Sequence, residues 1–99
     1  MVLATHTKQP AEKEKITVDF ANRLATSETL SSVTVTSILV IDDSDTTATI
    51  ISGAVYSGTK ISFYVNAGTN GQNHKITISV GTSDAQILEE DIYLNIRAQ

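Results

Sequence analysis

His74 stands at the seam between a turn-rich run, NAGTNGQN, and a strictly alternating one, HKITISV, where a catalytic base, a metal ligand or a structural peg would each fit. A base needs a nucleophile or an orienting acid close by, and none is near in the sequence. The other histidine is His6, and two imidazoles cannot build a histidine-rich metal site. A structural role is therefore expected. Counted back from Ile76, Ile78 and Val80, His74 faces inward at the start of the penultimate strand. Immunoglobulin-like sandwiches commonly place a tyrosine there, bonded to upstream backbone. An imidazole nitrogen is expected to bond a carbonyl of the preceding loop while the ring covers the core edge.

Asp42, Asp43 and Asp45 offer hard oxygens at short spacing, yet the alternate ligands, glycine and distal glutamate of an EF-hand are missing. A solvated turn is expected, and no metal ligand is assigned. Glu89, Glu90 and Asp91 form a second acidic group ahead of the last strand, suited to blunting an edge or meeting a basic partner. There is no G-x-S-x-G, and GTNGQN lacks the lysine and following helix of a phosphate loop. Neither a catalytic residue, a cofactor nor a small-molecule substrate is expected, and the chain reads as non-enzymatic.

The frame that must position these residues is small. Ninety-nine residues suit one domain with one core. A formal charge of -4 and a pI near 4.9 disfavour nucleic acid or an anionic membrane as main partner. Cysteine is absent, so the fold uses no disulfide or thiolate metal site, which is compatible with assembly in a reducing cytoplasm. The N-terminus lacks the apolar stretch of a secretory signal, and no run approaches the roughly 20 apolar residues of a membrane span. No asparagine stands in a glycosylation sequon.

Residues 1–14 are polar, hold the only proline, and read as an extended arm before a domain at 15–99. Laid along a neighbouring subunit, the arm would be dispensable for folding but needed for incorporation. Ile16, Val18 and Phe20 alternate as a strand. ANRLATSE follows as a loop or helical turn with Leu24 pointing inward. Leu30, Val33, Val35, Ile38 and Val40 form a second strand region, whose phase slip predicts a bulge near Thr36 and Ser37. Ala48, Ile50 and Ile51 are assigned to a third strand, and SGAVYSGT to a short edge strand. Ile61, Phe63 and Val65 come next, and Asn70-Gly71 makes a turn. Ile76, Ile78 and Val80, then Ile92, Leu94 and Ile96, complete the core. About seven short strands without helical periodicity predict an all-β, immunoglobulin-like antiparallel β-sandwich; a small barrel is the alternative. Tyr56, Tyr64 and Tyr93 suit outward contacts. Lys8, Pro10, Lys13, Tyr64 and Tyr93 are the expected partner-binding residues.

The order of motifs resembles small structural proteins of tailed bacteriophages. Asp19, Phe20 and Leu24 match a first "DF/DW-S-x-x-L" element; Thr29, Leu30, Ser32 and Val35 match a second. Gly68, Thr69, Gly71, Ile76, Val80, Thr82 and Ser83 match a glycine-rich core element, and the likeness covers roughly residues 8–97. His74 replaces the usual tyrosine, and Asp84-Ala85 the usual glycine-containing turn. The resemblance implies an immunoglobulin-like virion component of tail or neck. Such a protein adapts fibres to a tail or joins head to tail, and its partners are other virion proteins in a symmetric assembly. A rival reading is a recognition or capsid decoration module for a receptor, glycan or capsid protein. A glycan platform is hard to build from five aromatic residues, at least two of them inward.

Overall fold

Successive strands bury every second residue, and that period of two organises the whole chain. The computed structural model describes residues 2–24 and 26–98, with side chains from His6 onward. Met1, in the expected arm, and Ala25, in the expected loop, lie outside the described residues. Strand accounts for 58% of the chain and helix for 8%, so the all-β expectation holds. The strands are β1 (Val2–Lys8), β2 (Glu14–Asp19), β3 (Leu30–Leu39), β4 (Ile51–Ser57), β5 (Lys60–Val65), β6 (Asn73–Thr82) and β7 (Ile87–Ile96). One helical turn of the 3-10 type, Ala21–Arg23, follows β2, and a short helix α1, Thr47–Ile50, precedes β4.

Two sheets face each other, one ordered β1-β7-β6-β3 and the other β2-β5-β4. His74, Ile76, Ile78, Val80 and Thr82 on β6, with Ile92, Leu94 and Ile96 on β7, supply the inner face of the larger sheet. Val18, Ile61, Phe63 and Val65 supply the other, and Phe20, Leu30, Val35 and Ile50 close the core. Each such aliphatic or aromatic side chain contributes about 1.5–3 kcal/mol on burial. Leu24 packs against this cluster, as its inward position in the loop suggested.

Three expectations need correction. The segment read as an extended arm laid along a neighbour is, over Val2–Lys8, the outermost strand of the chain's own larger sheet, and it runs parallel to β7. The sandwich is thus not wholly antiparallel. β7 otherwise has a bare edge of backbone N–H and C=O groups, and the polar segment satisfies it. In β3 the irregularity lies between Leu30 and Ser32, not near Thr36 and Ser37. Ser37 is fully buried in an inward slot, so Ile38 turns outward. Its hydroxyl is satisfied by Thr46 Oγ1 at 2.8 Å, which lets a polar residue keep the register an apolar count assigned to Ile38.

Thr47–Ile50 is helical where a strand was expected. Asp45 Oδ1 accepts the Thr47 N–H at 2.9 Å, and the Thr46 carbonyl accepts from Ile50 at 2.9 Å. Thr47 Oγ1 accepts the Ser37 N–H at 2.9 Å, tying the turn to β3. Short hydroxyl and carboxylate side chains outcompete strand pairing here. The turn carries the chain from one sheet to the other and delivers Ile50 to the core.

The Asn70-Gly71 turn forms as expected, with Gln72 N–H donating to Thr69 O at 3.0 Å. Just before it, Gly68 has φ +96°, and a Cβ there would meet Ile96 at 2.9 Å. Ala85, in the turn that replaces the resembled family's glycine, has φ +63°. A left-handed conformation costs an L-residue about 1–2 kcal/mol. We expect Ala85→Gly to stabilise the protein by about 0.5–1 kcal/mol and Gly68→Ala to destabilise it by more than about 2 kcal/mol in urea unfolding. Truncation to Lys15 bares the β7 edge, so Tm should fall by roughly 5 °C or more in a thermal melt; an unchanged melt would restore the reading of an arm dispensable for folding.

Candidate functional site

Inward alternation of β6 carries His74 under the end of the sandwich, where it is 1% exposed. Gln72 Oε1, fixed as an acceptor by the Thr69 N–H at 3.0 Å, receives His74 Nε2–H at 3.3 Å. Nδ1 therefore accepts from the Thr46 hydroxyl at 3.1 Å, and Ser37 in turn donates to Thr46. Both nitrogens are used on side chains rather than on a loop carbonyl. Burial first, and the nearby Lys8 charge second, lower the imidazole pKa below 6.5. His74 is a peg that joins the β5–β6 loop to the segment between β3 and α1, with the Thr46 and Ser37 hydroxyls buried beside it and no carboxylate hydrogen-bonded to its ring among the described residues.

Lys8 was expected at a partner surface and is instead 2% exposed. Its Nζ donates to the carbonyls of Gln9 at 2.6 Å and Pro10 at 3.3 Å. Burial lowers its pKa against the opposing pull of Glu12 and Glu14. The long apolar stem explains how a lysine serves as a plug between β1 and the core. Pro10 is half-buried beside it.

The remaining expected residues separate onto two faces. Lys13 Nζ lies 4.9 Å from the Tyr64 ring centre, a cation–π contact on the outer side of β2-β5-β4. Tyr93 is half-buried on the outer side of the larger sheet, opposite Lys75 and Thr5 in the register. Tyr56 is spent partly inside the molecule, its hydroxyl donating to Ser31 O at 2.7 Å.

Neither acidic group is a free cluster. Asp42 Oδ1 accepts the Ser44 N–H at 3.0 Å and Asp45 caps Thr47; these hydrogen bonds lower both pKa values. Glu90, expected at an exposed edge, is 3% exposed and pairs with Arg23, because it occupies an inward position of β7. Asp91 accepts from the Thr77 hydroxyl at 2.9 Å, leaving Glu89 exposed. Among the described residues no three His, Cys, Asp or Glu side chains converge as a metal site.

Sequence reasoning missed the exposed Ile41, 88% exposed in the turn after β3, Ile87, 76% exposed at the start of β7, and Val55 on the β4 edge. It also missed Lys15 and Lys60. Their outward alternation was legible, but their shared face depends on the pairing of β2 with β5.

A family model described as podophage GP4 fiber-tail adaptor protein gp77 matches residues 8–95. No curated protein matches the chain.

His74 also sets a pH dependence. A lowered folded pKa means that the unfolded chain takes up a proton first, so this contribution to stability is complete above pH 6.5 and is lost as pH falls through the folded value. The urea midpoint should drop between about pH 7.5 and about pH 5.5, and His74→Gln, though less stable at the upper value, should flatten that drop.

Proposed function

The chain belongs to the podophage GP4 fiber-tail adaptor family, gp77, and we propose that it joins fibre to tail by offering two opposite sheet faces to two neighbours. The family is one of structural adaptors and not an enzyme class, and its members are virion components that meet other tail proteins.

The observation that carries the mechanism is the placement of Tyr64 and Tyr93 on opposite outer faces of one sandwich. An adaptor needs two contact areas that do not occlude each other. A body of 43 × 23 × 20 Å with aromatic residues on both broad faces supplies them at short range. Lys13 adjoins the first face through Tyr64, and Pro10 lies in the link between β1 and β2. The parallel seating of the first strand on the last, with the two sheet orders, supports an immunoglobulin-like reading of the sandwich.

The N-terminal segment contributes an edge instead of a loose arm. β1 pairs with β7 on one side, and its other side is open to strand addition by a neighbour. Many weak contacts repeated by symmetry then give a strong attachment. The acidic balance disfavours DNA or a membrane as the second partner, and no helix among the described residues is long and apolar enough to cross a bilayer.

Tyr64→Ala and Tyr93→Ala should separate the two junctions. Each removes an anchor expected to contribute about 2 kcal/mol. One variant should be missing from purified particles, and the other should be present on particles that lack fibres, by mass spectrometry and electron microscopy. Normal incorporation and normal fibres in both would remove the two-face mechanism.

A further inference from the structure

The cations of this acidic chain are unevenly used. Arg23 is paired with Glu90, Lys75 faces Asp91 at 3.7 Å, Arg97 is held by Asn73 Oδ1 at 2.9 Å, and Lys8 is buried. The three others, Lys13, Lys15 and Lys60, are exposed and lie on or beside the outer face of β2-β5-β4. Among the described residues none of these three enters an ion pair.

Their placement follows from register. Thr17 stands opposite Ser62, with Lys15 opposite Tyr64 on one side and Lys60 opposite Asp19 on the other. The two lysines therefore flank one hydroxyl pair on opposite sides along the ladder. Between them is a depression of about 210 Å³ lined by Lys15, Lys60, Thr17, Ser62 and the exposed Val55. Asp19, the acid in an outward position of β2, stands opposite Lys60 and acts on it through space without a direct ion pair; its Oδ1 is occupied by the Ala21 N–H and the Thr59 hydroxyl, each at 2.9 Å.

We propose that this depression receives a carboxylate: the outer face of β2-β5-β4 docks an acidic protein surface, with an Asp or Glu side chain of the partner seated between Lys15 and Lys60. The Thr17 and Ser62 hydroxyls donate to its oxygens, and Val55 meets its methylene groups. The Lys13–Tyr64 pair borders the contact with a third cation and an aromatic ring. Exposed acids elsewhere, Asp42, Asp43, Asp45, Asp84 and Glu89, repel such a partner, so attraction here and repulsion there select one docking orientation. The inference rests on the adaptor reading and gives the chemistry of one of its two neighbours.

Particles assembled without the chain, supplemented with purified full-length protein, provide the test. Bound protein is quantified from about 50 to about 500 mM NaCl. Wild type should bind with an affinity that falls as salt rises. Lys15→Glu with Lys60→Glu should lose at least roughly tenfold at low salt. The Lys→Arg pair should restore binding, and all variants should melt like wild type. A charge-reversed variant that binds with wild-type affinity and salt dependence overturns the proposal. So does displacement of wild type by a short DNA duplex but not by poly-glutamate, which would assign the face to a phosphate backbone. If wild type itself does not associate, the adaptor reading falls, and this partner with it.

Discussion

The pairing of β6 with β3 on one side and β7 on the other is the constraint on which the rest of the structure depends. Its inward column, from His74 to Thr82, is buried at every position, and both ladders run along nearly its whole length. A shift of one residue in either ladder would turn Ile76, Ile78 and Val80 to solvent and bring Lys75, Thr77 and Ser79 inside. The hydrophobic cost of that exchange fixes the register. Once it is fixed, the outer faces are fixed too, and Tyr93 and Lys75 are held on the same side.

The two ends of the β6 column are polar, and each is satisfied by a segment distant in sequence. At one end His74 meets Thr46 and Gln72, and Ser37 extends the chain of hydrogen bonds. At the other end the Thr82 hydroxyl donates to the buried Glu28; nearer the middle, opposite Ile78, Glu90 pairs with Arg23 through Oε1, while its buried Oε2 has no partner among the described residues. Buried polar groups left without partners would cost about 1–3 kcal/mol each, so these contacts hold the connecting loops in place. Loops held in this way keep the two sheets stacked with their outer faces opposed.

In the proposed reading, function comes from the faces of the sandwich. The titratable residues that drew attention first have structural work: His74 as a peg, Asp42 and Asp45 as turn and helix caps, Glu90 as half of a buried ion pair. What remains exposed and unspent is a cationic, hydroxyl-lined face on one sheet and an aromatic face on the other. These are the features of a protein that binds proteins.

Local chemistry determined much of this from the sequence. Alternation in HKITISV and in the residues around Leu94 gave the core strands, and Asn70-Gly71 gave the turn. Those features depend on neighbours one to four residues apart. Ser37, Glu90 and Lys8 were misplaced because a polar residue's burial depends on a partner far along the chain: Thr46 for Ser37, Arg23 for Glu90, the β7-bound course of β1 for Lys8. The fate of residues 1–14 was likewise hidden, since a polar segment becomes a strand only when an unpaired edge is available to it. The face shared by Lys15 and Lys60 was decided by tertiary structure alone, because β2 and β5 lie far apart in sequence and only their ladder brings the two ammonium groups to one depression.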